Sequence, residues 1–316
     1  MSLASVIRQA AARLEPYLYQ TPCSRMPWLD GYANGRVLGK LEHLQRTGSF
    51  KFRGAMNFLL QLGPSALTKG VVTASAGNHG LGVAEAGQLT SCAVTVFVPE
   101  TASKAKISKL REKGVQLILS GQDYDEAQEH ALRHASESGL PYVHAFDDEV
   151  VIAGQGTTGL EIVETVRQPG IILVPVGGGG LLGGLASIVK ELSPQTRIIG
   201  VQSEASPAMQ RAIQSGKVVE TPIEQSVADG LAGRFVCDRT LALAQQYCDE
   251  VVLVSEPSIR TAMKEIYLQQ GWRVEGSAAV GVAAILEGKI DADSRECVTV
   301  ITGGNISYET FVAQSS

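Results

Sequence analysis

The chain has 316 residues, 44% hydrophobic and 19% charged, with a formal net charge of -5. That length suits one large domain or two moderate ones with an ample core. Lysine and arginine form no dense cluster, which argues against nucleic acid or an anionic membrane as the main partner and leaves any bound anion to local features.

The chain opens with M-S-L-A-S-V-I-R-Q-A-A-A-R-L, an amphipathic helical pattern without the apolar core of a signal peptide. No run approaches the roughly 18 apolar residues of a membrane span. The five cysteines, Cys23, Cys92, Cys237, Cys248 and Cys297, are odd in number, widely spaced and free of any C-x-x-C. This argues against a disulfide framework or a cysteine zinc site. A soluble cytoplasmic protein is expected.

At 49–54 the chain reads S-F-K-F-R-G, with Lys51 between two phenylalanines. Such a lysine either lays its stem on apolar surface and keeps its ammonium wet, or is desolvated into a neutral, nucleophilic amine. Apolar runs then predict strands at 70–74, 93–98 and 115–119, and further on at 171–176, 197–201, 250–254 and 298–301. Their doubly apolar character suits strands covered on both faces. Helical patterns fall between them: about 124–136, with Ala127, Ala131 and Ala135 on one stripe, then near 156–167, 181–192, 207–215 and 257–270. The last follows a capping serine, Ser255, with Pro257 in its first turn. The alternation predicts an α/β fold with parallel sheets and right-handed crossovers.

The loop T-A-S-A-G-N-H-G at 73–80 lies between a strand and a helix. Ser75, Asn78 and His79 offer hydrogen-bond donors, and the amides around Gly77 form an anion-binding turn suited to a carboxylate. His130 and His134, four apart on one helix beside Glu126 and Glu129, lack a third metal ligand at suitable spacing and suit a solvated face. The loop V-P-V-G-G-G-G-L-L-G-G at 174–184 joins a strand to a helix, where bare amides and the helix start suit a phosphate. Gly178, Gly180 and Gly183 also satisfy G-x-G-x-x-G, with Glu204 just beyond the next strand, so this loop alone admits a dinucleotide site. Finally, I-T-G-G-N at 301–305 puts Thr302 at the carboxyl end of the last strand.

In this order and spacing, S-F-K-F-R-G, S-A-G-N-H-G, A-G-Q-G-T at 153–157, G-G-G-G-L at 177–181 and T-G-G-N at 302–305 resemble the fold-type II pyridoxal-phosphate enzymes, specifically the threonine/serine dehydratase and serine racemase group. The resemblance spans nearly the whole chain and leaves the dinucleotide reading with one loop only. It implies a tryptophan synthase β-like fold of two open, twisted, mostly parallel sheets with flanking helices. Residues 54–145 would form a small domain inserted in a large one made of 1–53 and 146–316. It implies that Lys51 holds pyridoxal phosphate as an imine beside Phe50, that Asn78 bonds the ring hydroxyl, and that Gly177, Gly178, Gly179, Gly180 and Leu181 cradle the phosphate. Thr302 would face the ring nitrogen, and Ser75, Gly77, Asn78 and His79 the substrate carboxylate. A hydroxyl cannot hold a full pyridinium charge, which favours β-elimination over prolonged carbanion chemistry.

The implied reaction is dehydration and deamination of L-threonine or L-serine to a 2-oxo acid and ammonia, with Lys51 as base. Racemase relatives carry a serine immediately before Gly-Asn-His, and this chain has Ala76. Racemase activity is therefore expected to be minor. No arginine waits near 122–129 for a second carboxylate, which disfavours 3-hydroxyaspartate, while an aryl-serine stays open as a substrate, as does a regulator that binds the cofactor without turnover. Relatives bind a divalent cation with a glutamate, an alanine carbonyl and an aspartate; the matching positions are Glu204, Ala208 and Gln210. The neutral amide removes a charge that a hard cation wants, leaving magnesium or calcium, a monovalent ion or water open there. Relatives are commonly homodimers. Biosynthetic threonine dehydratases carry a regulatory extension after T-G-G-N, and with none here, feedback inhibition is not expected.

Overall fold

A computed structural model describes residues 1–315. The strands are β1 (Cys23–Arg25), β2 (Arg36–Lys40), β3 (Val71–Ala74), β4 (Val94–Val98), β5 (Gln116–Leu119), β6 (Ile171–Pro175), β7 (Arg197–Ser203), β8 (Glu250–Val254) and β9 (Glu296–Val300). They build a six-stranded sheet in the order β1-β2-β9-β6-β7-β8 and a three-stranded sheet in the order β3-β4-β5. Every pairing is parallel except β1 with β2. The expected α/β architecture of two mostly parallel sheets is therefore present.

β3, β4 and β6 are buried at every residue, as their unbroken apolar runs predict. β5 and β8 depart from that expectation. They are sheet edges, with Gln116, Leu119 and Glu250 exposed, so an apolar run does not by itself guarantee cover on both faces. β1 and β2 had no apolar signal: one is three residues long, and the other carries Gly39 and the fully buried Lys40.

The helix Tyr124–Ser138 buries the expected stripe Ala127, Ala131 and Ala135. The helix Glu256–Gln270 is capped by Ser255, whose Oγ accepts from the Ser258 amide at 3.4 Å, with Pro257 in its first turn. The helix expected near 156–167 is longer, Glu149–Thr165, and starts at an Asp148 cap accepting from the amides of Val150 and Val151. Its glycines hide it, being poor helix formers. Tertiary packing overrides that preference: a Cβ on Gly154 would lie 2.6 Å from Gly54 Cα, and one on Gly156 2.9 Å from Gly184 O. A-G-Q-G-T thus lets three helices touch backbone to backbone.

The Lys51 segment is anchored by this packing. The helix Lys51–Leu59 begins at the lysine itself. Arg53, fully buried, sends Nε and Nη2 to the two oxygens of Glu42 at 2.7 and 2.8 Å. Its Nη1 and Nη2 also reach Glu161 at 2.6 and 2.9 Å. Lys40 completes the cluster with its Nζ on Glu161 and on Thr21 O at 2.6 Å. On the other side, a Cβ on Gly82 would meet Lys51 C at 3.1 Å, so the helix Asn78–Thr90 lies directly on this first turn.

Candidate active site

The loops after β3, β6 and β9 open on one cavity of about 740 Å3, at the carboxyl ends of the strands. Lys51 projects into it. Its Nζ donates to Ala145 O at 2.8 Å and stands 5.3 Å from the centre of the Phe50 ring. Phe50 lines the cavity, whereas Phe52 turns into the core. Burial away from water holds the amine down at about 8, against the upward pull of the Glu275 charge. This is the desolvated lysine, not the solvated one.

The glycine loop faces it. The helix Gly180–Leu192 has no side-chain cap, and among the described residues the amides of Gly177 through Leu181 have no hydrogen-bond partner. Gly179 takes a left-handed φ of 94°, which turns the loop into the helix. Gly178 and Gly180 are required by contact: a Cβ on the first would lie 2.4 Å from the Phe146 ring, and one on the second 2.8 Å from Phe146 O. The result is a cradle of free amides at the positive end of a helix, the donor set for a phosphate.

Across the cavity, the helix Asn78–Thr90 also starts without a side-chain cap. Ser75 Oγ accepts from the Gly77 amide at 3.1 Å, shaping the turn. The amides of Ala76, Asn78 and His79 have no partner among the described residues, so the turn presents donors to an anion. His79 itself does so through its backbone. Its ring is buried with Nε2 3.0 Å from Val143 O, and burial, helped by the Lys51 charge, pushes it to about 3.

Asn78 sits at the centre of a network that the sequence did not announce. Its Nδ2 donates to Glu275 Oε1 at 2.6 Å, and its Oδ1 accepts from Asn305 Nδ2 at 2.8 Å. Asn305 Nδ2 also donates to Thr47 O at 2.6 Å. One Asn78 N–H therefore stays free for a ligand oxygen while the amide is held from both ends. Glu275 is pushed up to about 7, first by burial and then by Asp229. No local pattern marks V-E-G-S as part of the site; only the tertiary contact reveals it. His144 is fixed locally: its Nδ1 accepts from the amides of Phe146 and Asp147 at 3.2 and 2.8 Å, which holds the ring on the cavity wall.

Thr302 lies where β9 ends. It is buried, its carbonyl accepts from the Phe50 amide at 3.2 Å, and its Oγ1 has no partner. A buried orphan hydroxyl on the cavity wall is what a ring nitrogen would complete. The cavity-facing lysine, the amide cradle, the half-used Asn78 amide and this hydroxyl together fit pyridoxal phosphate.

The other singled-out residues fall elsewhere. Glu204 is exposed after β7, and Ala208 opens the helix Ala208–Ser215. Gln210 spends its Nε2 on Val251 O at 3.0 Å. No group of three or more His, Cys, Asp or Glu able to hold a metal occurs among the described residues. One carboxylate and a carbonyl are a poor fit for a hard dication. His130 bonds Ser120 Oγ through Nδ1 at 2.6 Å, and His134 packs its ring on Phe97 at 5.4 Å. Trp28 and Trp272 pack against the core. No helix among the described residues is long and apolar enough to cross a membrane.

Known proteins resemble this chain in sequence and in fold. The chain is 41% identical to an L-threonine ammonia-lyase of Thermotoga maritima over 300 residues, 95% of this chain and 75% of that one. It is 42% identical to an L-threonine ammonia-lyase of Geobacter sulfurreducens over 271 residues, 86% and 67% of the two chains. Among solved structures, the processed threonine deaminase isoform 2 of Solanum lycopersicum superposes with a TM-score of 0.90 at 34% identity, covering 98% of this chain and 92% of that one. Maize serine racemase gives 0.93 at 31% identity, covering 98% and 95%. The profile of the family described as "Pyridoxal-phosphate dependent enzyme" matches residues 14–303, and the chain belongs to that family.

Proposed function

We propose that the protein eliminates water from a β-hydroxy amino acid, L-threonine or L-serine first, releasing an enamine that tautomerises to the imine and is hydrolysed by water to a 2-oxo acid and ammonia. The observation that carries the proposal is Lys51: a desolvated amine held at about 8, aimed into a cavity between two uncapped helix starts. Bound pyridoxal phosphate would supply the electron sink for the departing α-proton. Lys51 takes that proton at Nζ as general base. The amides of Ala76, Asn78 and His79 hold the substrate carboxylate and so orient the Cα–H bond toward the lysine. The amides of Gly177 through Leu181 and the start of their helix would balance the phosphate charge. Thr302 would offer the ring nitrogen a neutral hydroxyl, which would disfavour a lasting pyridinium.

The names of the relatives support threonine as substrate, and Ala76 supports elimination over racemisation. The test is 2-oxo acid formation from L-threonine and L-serine by pyridoxal phosphate-loaded protein. We expect turnover, a visible absorbance removed by borohydride, and loss of turnover by at least about a thousandfold in Lys51→Ala. A Lys51→Ala protein with full turnover would overturn the proposal. An aryl-serine or 3-hydroxyaspartate used faster would redirect it. The same reading takes 54–145 as a small inserted domain, the protein as a cytoplasmic homodimer, and the Glu204–Ala208 position as suited to water or a monovalent ion.

A further inference from the structure

Glu275 stands at the N-cap position of the helix Gly276–Leu286, with an extended backbone at φ -78° and ψ 159°. An N-cap side-chain oxygen ordinarily turns back to accept from the amides of its own first turn. Glu275 makes no such bond. Its carboxylate instead reaches Asn78 on the cavity wall, where Oε1 accepts from Nδ2 at 2.6 Å. The two residues come from different sheets. Asn78 follows β3 of the three-stranded sheet, and the helix after Glu275 packs on β6, β7, β8 and β9 of the six-stranded one. Gly303 makes the approach possible, since a Cβ there would lie 2.6 Å from Glu275 Oε1 and 3.1 Å from Asn78 Nδ2. The Glu275 amide in turn donates to Gly303 O at 3.2 Å, which ties the loop after β9 to the same residue. These bonds also fix which way the Asn78 carboxamide points. Thr47 O is a backbone carbonyl and can only accept, so the Asn305 atom 2.6 Å from it is Nδ2. That Nδ2 lies 2.8 Å from Asn78, on an atom that must be Oδ1, and Nδ2 of Asn78 is left for Glu275.

We propose that Glu275 is a positioning residue, which acts through Asn78 to aim the free carboxamide N–H at the ring hydroxyl of pyridoxal phosphate. The inference rests on the cofactor binding at Lys51 with that hydroxyl at Asn78, and adds the residue that sets the angle. An asparagine amide held only at its oxygen can swing about its last torsion, which is broad. Held at Oδ1 by Asn305 and at one N–H by Glu275, it has a single orientation, and its second N–H a fixed direction. The consequence is electronic. In pyridoxal phosphate bound to a lysine, one proton is shared between the ring oxygen and the imine nitrogen. An N–H aimed at the oxygen favours its ionised form and leaves the proton on nitrogen, the arrangement that absorbs in the visible. Without that N–H the proton returns to the oxygen, and absorbance in the near ultraviolet grows at the expense of the visible band.

The experiment records the ratio of visible to near-ultraviolet absorbance for the pyridoxal phosphate-loaded parent and for Glu275→Ala, Glu275→Gln and Glu275→Asp. Glutamine keeps the reach and an oxygen acceptor but removes the charge. Aspartate keeps the charge but withdraws it by one carbon–carbon bond, about 1.5 Å. We expect Glu275→Ala and Glu275→Asp to lower the ratio about three- to tenfold, the worth of one hydrogen bond, and Glu275→Gln to stay within about twofold of the parent. An unchanged ratio in Glu275→Ala would overturn the inference. So would the reverse ranking, with aspartate like the parent and glutamine like alanine, because charge and not aim would then be at work. In an Asn78→Ala background, Glu275→Ala should move the ratio by less than about twofold, since its route to the cofactor has been removed. A full shift in that background would also overturn the idea. If Glu275→Ala fails to fold, Glu275→Asp takes its place in both comparisons, and the same outcomes decide. A parent protein with no borohydride-sensitive band would instead refute the reading on which the inference stands.

Discussion

At the scale of single residues, the site is a set of polar atoms each left with one valence unspent. Lys51 has an amine that burial holds at about 8, Asn78 has one free N–H, and Thr302 has a hydroxyl without a partner. Glu275 is the residue whose cost can be read out. Burial raises it from 4.5 to about 7, so the folded protein binds its proton more tightly than the unfolded chain does. An acid raised on folding is stabilised relative to the unfolded chain at low pH, and that advantage disappears as pH climbs from the unfolded value through the folded one. The shift corresponds to at most about 3 kcal/mol, and the open cavity beside the carboxylate trims it to about 2. In Glu275→Gln the oxygen that accepts from Asn78 is kept and the titration is removed. Denaturant unfolding of the cofactor-free proteins should therefore show the variant gaining on the parent between pH 4.5 and 7, by about 2 kcal/mol at the upper end. A difference that stays flat across that window would mean the carboxylate is not the strained group it looks to be.

At the scale of elements, one helix start explains why the lysine is placed so firmly. Glu42 and Arg53 are fully buried, and Glu161 closes the other side of the guanidinium. A buried pair adds little net stability when complete and costs heavily when halved. Arg53→Met should lower the unfolding free energy by about 3–5 kcal/mol, with the denaturant slope unchanged. A loss under 1 kcal/mol would mean the cluster is wetter than its burial implies. The same stretch shows where sequence reading succeeds and fails. The glycine loop, the S-A-G-N-H-G turn and Thr302 are legible because strand-to-helix junctions and bare amides are local properties. So are the buried strands β3, β4 and β6. The places of Glu275 and Asn305 are not legible, because each meets Asn78 from about two hundred residues away in the chain. β2 is hidden because a lysine inside a strand looks like surface until Glu161 is seen to neutralise it. The helix Glu149–Thr165 is hidden because its glycines serve contact, not propensity.

At the scale of the whole molecule, the backbone does not choose the reaction. A threonine deaminase and a serine racemase superpose on this chain equally well, at TM-scores of 0.90 and 0.93. Elimination and racemisation both begin when a base removes the α-proton, and they diverge in what stands on the opposite face of that carbon. Inversion requires an acid there to return a proton; elimination requires only a leaving group at Cβ. The turn that would carry such an acid is the start of the helix Asn78–Thr90, and at position 76 it bears a methyl group on the cavity wall. A methyl cannot donate a proton, so L-serine should give pyruvate with no more than a trace of D-serine. Ala76→Ser adds one hydroxyl at a half-buried, cavity-facing position and leaves the amides of the turn in place. Chiral chromatography of L-serine incubations should then show D-serine rising at least about tenfold over the parent, with the elimination rate lowered less than the racemisation rate is raised. Solvent deuterium should appear at Cα of the D-serine formed, because the returning proton comes from the new hydroxyl and not from the face of Lys51. If the parent already makes D-serine at a rate comparable to pyruvate, then a different group supplies the second proton, and the distinction between lyase and racemase lies outside this turn.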